Sequence, residues 1–264
     1  MEHVHVAGLR IVYERRGAGP PLLLLHGAVC DGRVWRRQLD ALSDAFTVIA
    51  WDAPGCGGSS DPPAAFRMRD YGACVAAFVD ALGLEHVHVL GHSWGSVLAL
   101  ELFRQRRACV RSLVLVGAYA GWAGSLAPAE VERRLEFALH FDPGSEERFD
   151  PTTMRGLFSD VMPGDRAAEL RQIMSEIRPA GTATMAHALA EADLRAVLPH
   201  VDVPVLLLYG EADERSPLSV AEALHQAIEG SKLVVMPGLG HECHLESADR
   251  FETEVRRFLT SLGT

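Results

Sequence analysis

The chain contains no asparagine, and Lys232 is its single lysine. Without asparagine there is no N-glycosylation acceptor. The preference for arginine over lysine points to a GC-rich bacterial genome, which is a matter of codons and not of physics. Positive charge is also the minority sign: 25 Lys and Arg against 35 Asp and Glu leave a formal net charge of −10 and an isoelectric point near 5.6. That balance argues against nucleic acid or an anionic membrane surface as the main partner. No apolar run approaches the roughly 18 residues of a membrane helix. The first stretch, 1–17, carries Glu2, Arg10, Glu14, Arg15 and Arg16 in place of the continuous apolar segment of a secretory signal. Cysteine is sparse, widely spaced and odd in number (Cys30, Cys56, Cys74, Cys109, Cys243), with no CxxC pair. A disulfide framework and a thiolate zinc site are thereby disfavoured, and the expectation is a reduced, cytoplasmic protein. There is no internal repeat and no low-complexity tract.

What is present suffices for a large core, since 48% of the 264 residues are apolar. Short, wholly apolar runs at 22–25, 46–51, 87–90, 113–116, 205–209 and 233–236 read as buried strands. A pair over 3–11 and 10–15, broken near Gly8, reads as an N-terminal hairpin. Helical periodicity runs over 71–82, 97–103, 220–228 and 251–262. Apolar strands alternating with helices imply a mostly parallel sheet covered on both faces, with ligands beyond the carboxyl ends of the strands. The stretch 119–194 breaks this rhythm. It has no strand-like run, helical patterns at 131–139, 167–177 and 184–194, and punctuation by Pro128, Pro143, Pro151, Pro163 and Pro179. The expected partition is a core of 1–118 and 195–264 with a helical cap inserted over 119–194.

The chemistry-bearing residue types fall at strand ends. Gly91-His92-Ser93-Trp94-Gly95 lies between an apolar run and a buried helical pattern. A nucleophilic serine needs such a sharp turn to expose its hydroxyl, and glycines on either side let strand and helix approach. It also needs a base within hydrogen-bond reach and an acid fixing the base's tautomer. His241 follows the last apolar run, in Pro237-Gly238-Leu239-Gly240-His241, and Asp213 follows the preceding one, in Tyr209-Gly210-Glu211-Ala212-Asp213. Backbone N–H groups of Trp94 and of Ala28, after His26-Gly27, are the expected oxyanion donors, with Gly27 giving the loop its tight turn.

Taken together, His26-Gly27, Asp52-Ala53-Pro54-Gly55-Cys56-Gly57-Gly58-Ser59, the Ser93 pentapeptide, Gly210-Glu211-Ala212-Asp213 and Gly240-His241 resemble the α/β-hydrolase superfamily with a helical cap. The likeness runs along essentially the whole chain outside 119–194. It implies an eight-stranded, mostly parallel sheet with helices on both faces, a Ser93–His241–Asp213 triad, a preformed oxyanion hole and no cofactor. Dehalogenases and epoxide hydrolases of this fold carry an aspartate nucleophile, so Ser93 favours acyl chemistry. Ser93-Trp94-Gly95-Ser96 looks like the elbow of proline iminopeptidases, but that family's Asp-Gln-Arg-Gly loop is replaced here by Asp52-Ala53-Pro54-Gly55. Carboxylesterases, lactonases and C–C bond hydrolases share the remaining motifs.

Other residues have blander readings. His26 and His92 are expected to hold the loops on which they sit, and His244 to pack beside His241. The H-x-H pairs His3/His5 and His86/His88 lack a third ligand, so no metal is expected. Glu211 and Glu214 flank Asp213 as less suitable acids. Cys30 is expected near the oxyanion loop, as a pocket residue or a small buried hydrophobe. Trp122, Phe158 and Met162 are the expected pocket residues, with Trp94 and Trp35 as further walls, although core packing explains Trp35 as well. The resulting expectation is hydrolysis of a small to medium apolar ester by a monomer or homodimer. C–C bond, lactone or amide cleavage, a weakly catalytic receptor and a cofactor-free lyase or oxygenase are the alternatives.

Overall fold

The computed structural model describes residues 1–141, 151–154, 156–159 and 164–263. The chain opens with the antiparallel hairpin β1 (Glu2–Val6) and β2 (Leu9–Arg16). Its turn, Ala7-Gly8, has positive φ at both residues, the backbone twist that tight hairpins need. The apolar runs become β3 (Pro21–Leu25), β4 (Thr47–Trp51), β5 (Val87–His92), β6 (Val110–Val116), β7 (Val205–Gly210) and β8 (Lys232–Met236). The sheet order is β1-β2-β4-β3-β5-β6-β7-β8, antiparallel from β1 through β2 to β4 and parallel across the rest.

Successive strand side chains point to opposite faces, and each face is covered. Leu23, Leu25, Val89, Leu113 and Leu115 pack into one core with α2 (Met68–Ala81) and α3 (Trp94–Arg106). Leu22, Leu24, Leu90, Val114 and Val116 belong to the other, with α1 (Arg36–Leu42) and α9 (Ala248–Thr260). The continuous apolar strands of the sequence follow from this two-sided burial. Helix α9 shows the matching one-sided pattern, burying Phe251, Val255, Phe258 and Leu259 at helical spacing. Helix α1 has no counterpart in the sequence reading, because seven residues are too few to display a period.

Between β6 and β7 the described residues hold α4 (Pro128–His140), α5 (Gly164–Ser175) and α6 (Pro179–Glu191). Both α4 and α6 begin on proline, where the missing N–H costs nothing. Helices α7 (Leu218–Ala227) and α8 (Cys243–Glu246) follow β7 and β8. No helix among the described residues is long and apolar enough to cross a membrane, and none of the five cysteines is paired.

The chain passes from β3 to β4 on one side and then to β5 on the other, so the loops after β3 and β5 diverge and leave a crevice between them. In register, Leu25 lies opposite Gly91 and His92 opposite Val116. The residues following these positions therefore meet at one edge of the sheet.

Candidate active site

Ser93 is the single residue between β5 and α3, with φ 51° and ψ −114°. A non-glycine residue in this region is strained and persists only where its surroundings over-determine it. The surroundings here are backbone. A Cβ on Gly91 would lie 2.2 Å from Gly95 O, and one on Gly95 would lie 2.2 Å from Leu25 O. The Ser93 N–H donates to Val116 O at 2.8 Å, tying the turn to β6. Ser93 caps the N-terminus of a thirteen-residue helix, so unpaired N–H groups and the positive end of the α3 dipole face the serine.

The loop after β3 is pinned from beneath. The Ala53 N–H donates to His26 Nε2 at 3.0 Å, which leaves Nδ1 to donate to Gly27 O at 2.7 Å. Burial lowers the His26 pKa, consistent with a neutral ring in this one tautomer. Gly27 has no room for a side chain, since a Cβ would meet His92 Nδ1 at 2.8 Å.

His241 and Asp213 come together from the loops after β8 and β7. His241 Nδ1 lies 2.8 Å from Asp213 Oδ2, and the Asp213 side chain is fully shielded from solvent. Its other oxygen accepts from the N–H groups of Arg215 (2.8 Å) and Ser216 (2.7 Å). With Nδ1 donating to the carboxylate, His241 presents Nε2 as the acceptor. Gly117 closes the far side at φ 50°: a Cβ there would stand 2.9 Å from the imidazole and 3.2 Å from the carboxylate. The His241 loop is held by Glu246, whose carboxylate accepts from Gly240 N at 3.1 Å and from Ser159.

Ser93 and His241 line one cavity of about 80 Å³. Gly27, Ala28 and Val29 form one side of it; Tyr119, Trp122, Arg134, Met154, Leu157 and Leu189 form the side belonging to the stretch 119–194. His92, Arg215 and Glu242 complete the lining. Of the expected pocket residues, Gly27 and Trp122 line this cavity. Phe158 is not in the lining: Leu157 is, and the half-buried Phe158 packs against the core that contains α9. Met162 lies outside the described residues. Trp94 and Trp35 are core residues and not walls. At the first position of α3 the Trp94 side chain points back beneath the helix, stacking on His26 and meeting Tyr71 edge-on. Trp35 packs on His244 and Phe251. Cys30 is buried in the core, where burial holds its thiol well above the usual range. Glu211 donates nothing to the site and instead accepts from Gly238 N.

Three buried groups behind Ser93 had no functional reading in the sequence. His92 donates from Nε2 to His241 O at 3.1 Å, joining the serine turn to the histidine loop, and its Nδ1 faces Glu242 at 3.9 Å. Burial pushes the Glu242 carboxyl up to about 7, with His241 and Arg215 opposing the effect and Glu246 and Asp213 adding to it. His244 packs against His92 with both ring nitrogens unpartnered, and burial pushes its pKa down to about 3. Among the described residues, His92, Glu242 and His244 are the one group whose ligand atoms converge enough to hold a metal ion. The H-x-H spacing could not reveal it, because its members come from the end of β5 and the start of α8, far apart in sequence.

Residues 20–248 match the family model described as alpha/beta hydrolase fold. The chain is 32% identical to the 2-hydroxymuconate semialdehyde hydrolase of Pseudomonas sp. strain CF600, over 96% of this chain and 91% of that one. Among solved structures it resembles a thermophilic esterase from Thermogutta terrifontis, with a TM-score of 0.89, 27% identity and full coverage of both chains. It also resembles the esterase EaEST from Exiguobacterium antarcticum, with a TM-score of 0.84, 25% identity and 96% coverage of both.

Proposed function

The chain belongs to the alpha/beta hydrolase fold family, and from that premise we propose that it is a serine hydrolase acting on a small ester through an acyl-enzyme. The observation that carries this reading is Ser93, held at φ 51° in the same cavity as an imidazole already bonded to a buried carboxylate. Ser93 Oγ attacks the substrate carbonyl while His241 Nε2 takes its proton. Asp213 keeps the ring in the productive tautomer and stabilises the imidazolium. The N–H groups of Ala28 and Trp94 receive the oxyanion, assisted by the α3 dipole; each such donor contributes about 2.7–4 kcal/mol to lowering the barrier. His241 protonates the leaving alcohol, and water then cleaves the acyl-enzyme by the same route in reverse. The stretch 119–194 acts as a cap that selects the acyl group. A cavity of about 80 Å³ favours a short one.

A second reading, hydrolysis of a C–C bond, is supported by the 32% identity to the 2-hydroxymuconate semialdehyde hydrolase. It would use the same serine, histidine and aspartate on a different electrophile.

Turnover of p-nitrophenyl acetate and butyrate by wild type and Ser93→Ala tests the main reading. The expected result is a loss on the order of 10⁴- to 10⁶-fold in kcat with the circular dichroism spectrum retained. Equal turnover by a folded Ser93→Ala would overturn it.

A further inference from the structure

The cavity beside Ser93 contains one guanidinium that has no ion-pair partner among the described residues. Arg215 lines it, and its Nε is buried without a hydrogen-bond partner. No carboxylate pairs with its guanidinium among the described residues. The other cavity arginine is in a different state: Arg134 Nε pairs with Glu130 at 2.6 Å, Nη1 with Tyr119 OH at 3.0 Å and Nη2 with Arg215 O at 2.9 Å. The one acidic residue of the lining, Glu242, makes no ion pair with Arg215; its carboxylate lies nearest His244 (3.7 Å) and His92 (3.9 Å).

The Arg215 backbone is clamped at both of its polar groups. Its N–H donates to Asp213 Oδ1, and its carbonyl accepts from Arg134 and from the Tyr119 hydroxyl. Its side chain therefore leaves a fixed point close to the histidine–aspartate pair. Holding an unpaired guanidinium in such a setting is costly; burial, followed by the neighbouring Arg134, lowers its pKa. A partly buried, preorganised cation with no ion-pair partner, beside a nucleophile, has the properties of a subsite waiting for an anion.

We propose that Arg215 is an anion-recognition residue, and that the substrate is a short ester or lactone carrying a second, ionised carboxyl group. A guanidinium can engage the two coplanar oxygens of such a carboxylate together. Met154, Leu157 and Leu189 would take the apolar segment between the two carbonyl carbons. The reaction rests on the serine-hydrolase reading above, whereas the binding of an anion at Arg215 does not.

The test compares mono-p-nitrophenyl glutarate with p-nitrophenyl pentanoate, esters of equal acyl length that differ in the terminal carboxylate. Wild type, Arg215→Met and Arg215→Gln are assayed, each checked for a native melt. The expected result is a fall of roughly 30-fold or more in the ratio of kcat/KM for the glutarate ester to that for the pentanoate ester, whatever change the two esters share. A ratio between the two esters that stays the same in both variants overturns the proposal. Calorimetric titration of free glutarate into Ser93→Ala, with and without Arg215→Met, reads binding without turnover. Binding that depends on Arg215 supports the subsite even if neither ester is hydrolysed, an outcome that would sink the hydrolase reading alone. Glutarate bound equally, or not at all, with either residue at position 215 overturns the subsite whatever the fate of the esters.

Discussion

The two sides of the cavity are built on opposite principles. On the sheet side, backbone and hydrogen bonds determine nearly everything: Gly27, Gly91, Gly95 and Gly117 admit no side chain, and His26, His92, Asp213 and Glu246 are all engaged in holding loops. On the side contributed by 119–194, the lining is Trp122, Met154, Leu157 and Leu189, with Tyr119 and Arg134 anchoring Arg215. The first side has one workable arrangement. The second could exchange one apolar residue for another and still close the cavity. The difference separates chemistry from selection: rate should depend steeply on the sheet side, and preference among substrates on the other.

Gly117→Ala attacks the sheet side most directly. Its Cβ would intrude 2.9 Å from the His241 ring, at a φ that alanine resists. Displacing the imidazole from Asp213 should lower kcat by about 10²- to 10⁴-fold on any ester, with KM little changed. Steady-state kinetics on short and long p-nitrophenyl esters checks this. A loss confined to long esters would place Gly117 among the selecting residues instead.

Glu242→Gln probes the cost of the buried carboxyl. The free group titrates at 4.5 and the folded one at about 7. Between those values the folded protein holds a proton that the unfolded chain has released, so this group's contribution to stability declines as pH rises through the window and levels off above it. Glutamine is spared that loss. The variant should exceed wild type by up to about 3 kcal/mol in urea unfolding at pH 8, with the gap shrinking toward pH 5. A gap independent of pH would mean that Glu242 does not titrate in this range.

Trp122→Ala should have the smallest effect and a different signature. Enlarging the apolar wall should move kcat/KM toward longer acyl chains by about tenfold or less and leave acetate nearly unaffected. A series from acetate to octanoate reads this, and an equal loss across the series would show that the wall supports the sheet side after all.

The same contrast explains what could be read from the sequence. Strands β3 to β8 were legible because two-sided burial leaves continuous apolar runs, and Ser93, Asp213 and His241 because each follows such a run. The turn at Ser93 was legible through its flanking glycines, whose need is local. Arg215 and Glu242 carried no comparable signal. What matters about them is burial and the neighbours that other elements bring to them, which only the folded chain discloses. Trp94 and Phe158 were misread for a related reason. Residue type favoured a pocket wall, whereas the fold buries Trp94 in one core and packs the half-buried Phe158 against the other. The glutamate at 246 was likewise invisible until its carboxylate met Gly240 N.

If the strained Ser93 is a nucleophile activated by the His241–Asp213 pair, its hydroxyl reacts with electrophiles far faster than an ordinary serine's. Mass spectrometry of the protein treated with a fluorophosphonate, followed by peptide mapping, tests it most directly. The expected result is a single adduct on the peptide containing Ser93, formed rapidly by wild type and slowly by His241→Ala. Ester turnover by a protein whose Ser93 stays unmodified, or labelling equally fast without His241, would contradict it.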